Sequence, residues 1–580
     1  MKSRTFYSAI ALFSGLIVLI GVVGFWGLTA ENPRTLITEG GQTAPTAAQF
    51  VPRQSPLMAS LLARPDRLWK LRQLLAPANQ RATARREWRS LQQLLEDATG
   101  WDYEADIQPW LDQEITLAIT SLDLDHDDKN GLQAGYLVTL NCHDADAARE
   151  ALHLLWQKRV AQGRNLVFET VSGVGLIFDQ PLSILSSPQV SLAAAKPTVA
   201  SLATAFVGDR YVLLANDVQV LRQAIATYQA PDVSLAKAAA YREAIATLHQ
   251  NRIGWLYANI PTLLSWLGTE DRCPSPIKPA GQDANSLFVS VQAVASGITG
   301  QLAIAPSPDS WTQIEPTPAE AATQSASSTL DLVPDDALFT ISGQRFKEGL
   351  QRLQTDIGGY KATQAVLSTL STPPLARDKP NYQIGQQLLS RLQGSYALSL
   401  LPGQSTSWLL MSMVDDFTEF DELATAQGLS VNQIPFEGKT MTAWTRFSFN
   451  RAVVEAPLTL STQVVAIHTN LNGYEVVSTS LSGLERVLEQ AESDALSQKT
   501  SLLQLAAHTG PAASNLAYVN WPALAPVLIN RFPWLKAVEL AGEPLTGHIG
   551  PLLVSGAEDS ESLRISNFAV KLEEDPTKVS

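Results

Sequence analysis

Three aspartates at alternate positions, Asp123, Asp125 and Asp127, sit in the densest polar run of the chain, from Asp123 to Gly131. A hard dication needs several oxygens converging on one point, and an alternating acidic trio is how a calcium loop begins. The rest of the run departs from that pattern. Asp128 holds the turn position that needs glycine, and Ala134 stands where a glutamate closes the loop. The competing reading is a hairpin tip, with Asn130-Gly131 favouring a primed turn and the charges keeping a sheet edge soluble. The corresponding stretch further along, Pro402 to Ser407, carries no carboxylate.

Other chemistry-bearing residues lead to bland readings. Ser234-Leu-Ala-Lys237 fits the pattern in which a helical lysine activates a serine. Ser234 follows Pro231-Asp232, however, which reads as a helix N-cap. Gly438-Lys439-Thr440 ends like a phosphate-binding loop, but Gln433 replaces its first glycine and the backbone nest is lost. Seven histidines show no metal-ligand spacing. No catalytic set and no cofactor is therefore expected. Two cysteines, Cys142 and Cys273, exclude a disulfide-stapled scaffold. One disulfide between them is chemically permitted on an oxidising side of a membrane, and spacing leaves their pairing open.

One charge asymmetry stands out. Nine cations and two anions fall between Val51 and Ser90, although the whole chain carries −14. Arg64, Arg67, Trp69, Lys70, Arg72, Arg85, Arg86, Trp88 and Arg89 combine cations with indoles, which suits an anionic membrane surface. The competing reading, and the favoured one, makes Leu68, Leu71, Leu74 and Leu75 a core stripe and the arginines its solvated face. The acidic total argues against nucleic acid as a partner, because phosphate binding rests on clustered cations.

The elements that would position these residues begin with a membrane span. Ser8 to Leu28 is a run of 21 residues without a charge, and about 20 apolar helical residues cross a bilayer. Lys2 and Arg4 precede it, so the positive-inside rule keeps the N-terminus cytoplasmic and sends the bulk across. The expectation is a single-pass anchor at residues 1–30 and a stalk at 31–49, with membrane lipid as a partner of the helix. A cleaved signal peptide fits less well, because bulky Leu28 stands where the cleavage site needs a small residue.

Residues 50–305 and 330–572 read as two similar modules, joined by a Pro- and Ser-rich linker at 306–329 and followed by a flexible tail at 573–580. Phe50-Val51-Pro52 is answered by Leu332-Val333-Pro334. Ala205–Ile225 is answered by Ala466–Leu488, and Tyr257-Ala-Asn-Ile-Pro261 by Tyr518-Val-Asn-Trp-Pro522. The matches keep their order, with the offset drifting from 282 at Val51/Val333 to 261 at Tyr257/Tyr518.

Within each half, apolar–polar alternation predicts strands at Glu114–Thr120, Leu132–Leu140, Asn165–Val171, Gly173–Phe178 and Ser286–Ile304. Three- and four-residue apolar spacing predicts helices at Leu61–Leu75, Glu87–Ala98, Ala145–Val160, Asp217–Tyr228 and Leu235–His249. Short polar turns at Ser172-Gly173, Gly208-Asp209 and Asn472-Gly473 suit hairpins. The fold class is α+β: a mostly antiparallel sheet with helices against one face, not a doubly wound nucleotide-binding fold.

With its N-terminal span, the Val-Pro entries, the strands that begin at Tyr211 and Tyr474, and the Y-x-N-x-P segments, the chain resembles the domain-of-unknown-function 3352 family. The likeness runs from about Phe50 to the C-terminus. That family is largely cyanobacterial, so the resemblance implies a photosynthetic bacterium, with plasma membrane or thylakoid open; it brings no activity or site residues. The functional expectation is a membrane-anchored, non-enzymatic binding or assembly protein facing the periplasm or thylakoid lumen, with a protein partner there. The alternatives are a hydrolase of envelope polymers or lipids using carboxylates scattered in sequence, and a lipid or apolar-ligand carrier.

Overall fold

A computed structural model of the chain describes residues 35–75, 88–89, 92–93, 96, 100–125, 133–180, 201–263, 286–305, 329–344, 346, 388, 394–403, 406–413, 417–436, 439–450, 459–490, 494–509, 515–531, 549–556 and 562–572. The expected span at Ser8–Leu28, most of the linker, and Arg85, Arg86, Asp127 and Cys273 lie outside them. Among the described residues no helix is long and apolar enough to cross a membrane.

The fold is α+β, built on a large antiparallel sheet. Its first ten strands are β1 (Leu57–Leu61), β2 (Leu111–Ser121), β3 (Gly135–Cys142), β4 (Asn165–Val171), β5 (Val174–Gln180), β6 (Ala203–Val207), β7 (Tyr211–Ala215), β8 (Gly254–Asn259), β9 (Ser286–Val294) and β10 (Gly297–Ala305). The next ten are β11 (Phe339–Gln344), β12 (Ser395–Leu401), β13 (Ser407–Ser412), β14 (Ser430–Phe436), β15 (Lys439–Asn450), β16 (Thr459–Leu471), β17 (Tyr474–Ser478), β18 (Asn515–Val519), β19 (Ile549–Gly556) and β20 (Arg564–Leu572).

Pairing runs β4-β5-β6-β7-β3-β2-β1-β8-β9-β10 in the first series. In the second it runs β14-β15-β16-β17-β13-β12-β11-β18-β19-β20. The two orders are the same. They meet where β10 pairs antiparallel with β20, from Gly297 opposite Lys571 to Ile304 opposite Arg564. A Cβ on Gly300 would lie 2.0 Å from the Ser290 carbonyl oxygen and against the Phe568 ring, so glycine lets β9, β10 and β20 pack closely.

Turn chemistry explains the sequential pairings. Ser172-Gly173 and Asn472-Gly473 are two-residue connections, with φ of 50° and 85°, and 53° and 84°. Positive φ at both central residues is the primed geometry, whose twist matches that of paired strands. Ser286–Ile304, read as one strand, is in fact the hairpin β9–β10.

The principal helices are α1 (Pro65–Leu75), α2 (Ala145–Ala161), α3 (Val218–Gln229), α4 (Ala239–Thr247), α5 (Thr418–Ala426), α6 (Leu481–Glu489), α7 (Thr500–Thr509) and α8 (Trp521–Arg531). Asp217 caps α3 by accepting from the Gln219 amide, as the sequence suggests. The helix expected over Leu235–His249 is instead a short turn at Leu235–Lys237 followed by α4. The Ser234 hydroxyl does not cap it but donates to the Pro231 carbonyl at 2.7 Å.

Helices cover both faces of the sheet, not the single face expected. On β12, Tyr396, Leu398 and Leu400 enter the core under α5 and α8, while Ala397 and Leu401 enter the core under α6 and α7. In the first half, α1 and α2 cover one face and α3 and α4 the other. Strands such as β1 and β13, buried at every residue, require this arrangement.

The expected stalk also differs. From Thr35 onward the segment is packed on the first half, with Leu36, Ala47 and Ala48 buried. Glu114, fully buried on β2, is the reason. Its carboxylate accepts from Gln42 Nε2 (3.2 Å), Thr46 N (2.8 Å), Thr46 Oγ1 (2.6 Å), Ala47 N (2.9 Å), Thr116 Oγ1 (3.0 Å) and Asn141 Nδ2 (3.0 Å). A buried carboxylate needs such partners, and here they draw the preceding segment onto the sheet.

Candidate functional site

The site is built around α1. Pro65 stands in its first turn, where the missing N–H costs nothing, and Asp66 follows at the positive end of the helix dipole. Leu68 and Leu71 point into the core. Trp69 and Lys70, on adjoining positions of the helix, line a pocket of about 380 Å³ together with Asp66, Trp88, Arg89, Gln92, Tyr103, Glu104 and Gln108. That volume lies in the range of small-ligand sites, about 300–1,000 Å³.

Tyr103, Glu104 and Gln108 come from a wide turn in which the Gln108 amide donates to the Tyr103 carbonyl five residues back, at 2.8 Å. Asp102 caps it, accepting from the Ala105 amide at 2.7 Å. Such wide turns are uncommon and concentrate at functional positions.

The floor is aromatic. The Trp69 and Trp88 indoles stack with centroids 5.6 Å apart at 21°, and Tyr103 meets Trp88 edge-on at 5.3 Å. The rim is polar. Arg64 Nε donates to Asp66 Oδ1 at 3.0 Å, the Tyr103 hydroxyl donates to the same oxygen at 3.3 Å, and Gln92 Nε2 donates to Glu104 Oε1 at 2.9 Å. Burial, and then the nearby Asp66 carboxylate, raise the Tyr103 phenol well above its ordinary range, so it stays protonated and donates. Burial lowers the Lys70 ammonium, against the opposing pull of Asp66.

Of the residues named for the membrane-surface patch, Trp69 and Trp88 are only 7% and 8% exposed and pack in the core. Arg64 pairs with Asp66, the Arg67 guanidinium donates to the Thr35 hydroxyl at 3.4 Å, and Arg89 is exposed. Arg72 is in α1 but its side chain lies outside the described residues, as do Arg85 and Arg86.

Of the remaining sequence candidates, Asp123, Asp125 and Cys142 do not line the pocket. Asp123 Oδ1 accepts from the Gln133 amide at 3.2 Å, and Asp125 Oδ2 from the Gln133 side chain at 3.0 Å, so both carboxylates are engaged by Gln133. Among the described residues no group of three or more His, Cys, Asp and Glu is placed to hold a metal. Cys142 is buried, its Sγ 3.8 Å from the Asp209 carbonyl oxygen.

A second polar cluster, in the other half, escaped sequence reasoning. His468 on β16 is 5% exposed, with Nδ1 2.5 Å from Glu475 Oε1 and Nε2 3.1 Å from Asp421 Oδ1. The Trp444 indole donates to the same Asp421 oxygen at 2.6 Å, and Phe417 lies over the imidazole at 4.5 Å. Both ring nitrogens meet carboxylates, so the cluster is a polar latch between α5 and the sheet. Phe417 and Trp444 pack against the imidazole, while the Asp421 side chain stays 26% exposed.

The family described as a protein of unknown function, DUF3352, matches residues 12–572. The chain belongs to that family. The match covers the pocket, the buried cluster and both strand series. No curated protein and no solved structure matches the chain.

Proposed function

We propose that this family member is a membrane-anchored, non-enzymatic binding or assembly protein, its body facing the periplasm or thylakoid lumen and its aromatic pocket holding a small ligand. The observation that carries this reading is the pocket, where an aromatic floor and a ring of polar side chains converge as in ligand sites. The uncharged run at Ser8–Leu28, preceded by Lys2 and Arg4, supplies the anchor and its orientation. The identical strand orders support reading residues 50–305 and 330–572 as two copies of one module.

Protease treatment of intact spheroplasts or thylakoids, coupled to native mass spectrometry of the detergent-solubilised protein, tests this. The expected result is a body shielded in sealed thylakoids, or cleaved from outside in spheroplasts, together with a co-purifying ligand or partner. A cytoplasmic body that carries neither defeats the proposal.

One observation favours a second reading, a hydrolase: Asp66 and Glu104 line the same pocket beside aromatic residues. Two carboxylates in a cleft are sufficient for glycoside chemistry. Turnover of envelope polysaccharide that is lost in both Asp66→Asn and Glu104→Gln would establish it. A carrier of wholly apolar ligands suits the polar rim least.

A further inference from the structure

The charged groups of the pocket are not equally available to a ligand. Asp66 already accepts from Arg64 and Tyr103, and Glu104 from Gln92. Neither Lys70 nor Arg89 is held by a hydrogen bond or ion pair to another described residue. What the site offers an incoming molecule is therefore two cations, the Gln108 amide and an aromatic floor. We propose, resting on the reading of this pocket as a ligand site, that it takes the oxyanion group of a ligand at Lys70 and Arg89, with an apolar part of that ligand against the Trp88 and Trp69 indoles.

Several features support this. An arginine fork and a lysine point charge are complementary means of holding a phosphate or carboxylate. Lys70 is partly withdrawn from water without a direct partner, and such a group gains more from an arriving anion than an exposed one does. The two carboxylates are hydrogen-bonded to Arg64, Tyr103 and Gln92, and although both lie near enough to Lys70 to act on its charge, neither bonds to Lys70 or Arg89. The same chemistry could come from an anionic lipid headgroup or from a soluble organic anion.

Calorimetric titration of the full-length protein in neutral maltoside micelles separates these sources, with dihexanoyl-phosphatidylglycerol, dihexanoyl-phosphatidylcholine and phenyl phosphate as the probes. Binding of phosphatidylglycerol alone identifies a lipid headgroup, binding of phenyl phosphate alone a soluble anion, and binding of both the oxyanion itself. Lys70→Gln and Arg89→Gln should each weaken that binding about tenfold, Lys70→Arg should largely preserve it, and Arg222→Gln, remote from the pocket, should leave it unchanged. Unchanged thermal midpoints in these variants exclude misfolding as the cause. Equal binding of phosphatidylcholine, or indifference to both glutamine substitutions, overturns the proposal. So does silence from both anions; if native mass spectrometry then finds a neutral or cationic ligand that is lost in Trp88→Ala, the pocket reading survives and only the ligand class falls.

Discussion

The two halves share a frame but not an interior. Their strand orders coincide, and so do the contacts that close them. Leu235 N donates to Val51 O at 2.8 Å and Leu496 N to Val333 O at 2.7 Å, while Asn259 N donates to Pro56 O and Asn520 N to Leu338 O, both at 2.9 Å. Under the helix that follows β3 or β13, however, the chemistry differs. Thr204, opposite Leu214 on β7, accepts from the Trp156 indole at 2.9 Å. The corresponding register position in the second half is His468, opposite Val477, held between two carboxylates. Backbone pairing therefore sets where a side chain points, while its polarity is chosen locally, and a single hydroxyl–indole hydrogen bond or a histidine between two carboxylates fits the same place.

The largest expected effect breaks this contrast at its histidine side. Glu475→Ala leaves His468 and Asp421 without their third member, and removing one partner of a buried carboxylate–histidine set costs about 3–5 kcal/mol. The first-half counterpart, Thr204→Val, deserts only the Trp156 N–H and should cost about 1–3 kcal/mol. Urea denaturation, with hydrogen exchange localised to β16–β17 and β6–β7, measures both. Equal losses would show that the latch is no more than a hydrogen bond.

A second test uses pH. Burial raises the Tyr136 phenol from 10 to about 12, and its hydroxyl has no partner. Its contribution to stability is whole below pH 10, where both folded and unfolded states keep the proton. It is lost as pH rises from 10 through about 12, by about 2–3 kcal/mol, because the unfolded chain ionises first. Trp408 occupies the corresponding place in the second half and does not titrate. Tyr136→Phe should therefore leave neutral stability nearly unchanged and flatten this part of the alkaline limb; unfolding curves at pH 9 and 11.5 decide it.

The smallest effect sharpens the likeness. Asn216 Oδ1 accepts from Tyr136 N at 2.8 Å, and Thr479 Oγ1 accepts from Trp408 N at 2.9 Å, so two different side chains perform one clamp. Asn216 Nδ2 also donates to the Ala134 carbonyl at 2.8 Å, so Asn216→Ala should cost about 2 kcal/mol and Thr479→Ala about 1 kcal/mol. Thermal midpoints that fall for one and not the other would break the equivalence.

What was legible in the sequence follows from the range of the forces involved. Hairpins such as β4–β5 could be read because Ser172-Gly173 carries its own backbone preference. Helices on both faces could not, because a short apolar run like Leu57–Leu61 reads the same whether one face is covered or two. The packed segment before Phe50 was hidden because its partner is Glu114, about 70 residues away. At the pocket, Trp69, Lys70, Trp88 and Arg89 lie close enough in sequence to be noticed together. Tyr103, Glu104 and Gln108 arrive on a turn without a regular period, and the Trp101-Asp-Tyr-Glu104 run was the available signal. The buried latch was partly accessible: Asn472-Gly473 fixes the register of β16 with β17, which sets Glu475 diagonal to His468 on one face.

The junction between β10 and β20 has a consequence for solubility. Two separate ten-strand sheets would present four open edges, and each edge is a row of unpaired amides and carbonyls able to recruit another chain. Pairing corresponding strands with each other consumes two of them in a single self-complementary contact. The edges left among the described strands are again a corresponding pair, β4 and β14, and each is blunted in its own way. Pro435 removes an amide donor from β14, and on β4 Glu169 is bound to Arg222 at 2.6 Å. Symmetry inside one polypeptide thus acts as protection against its neighbours.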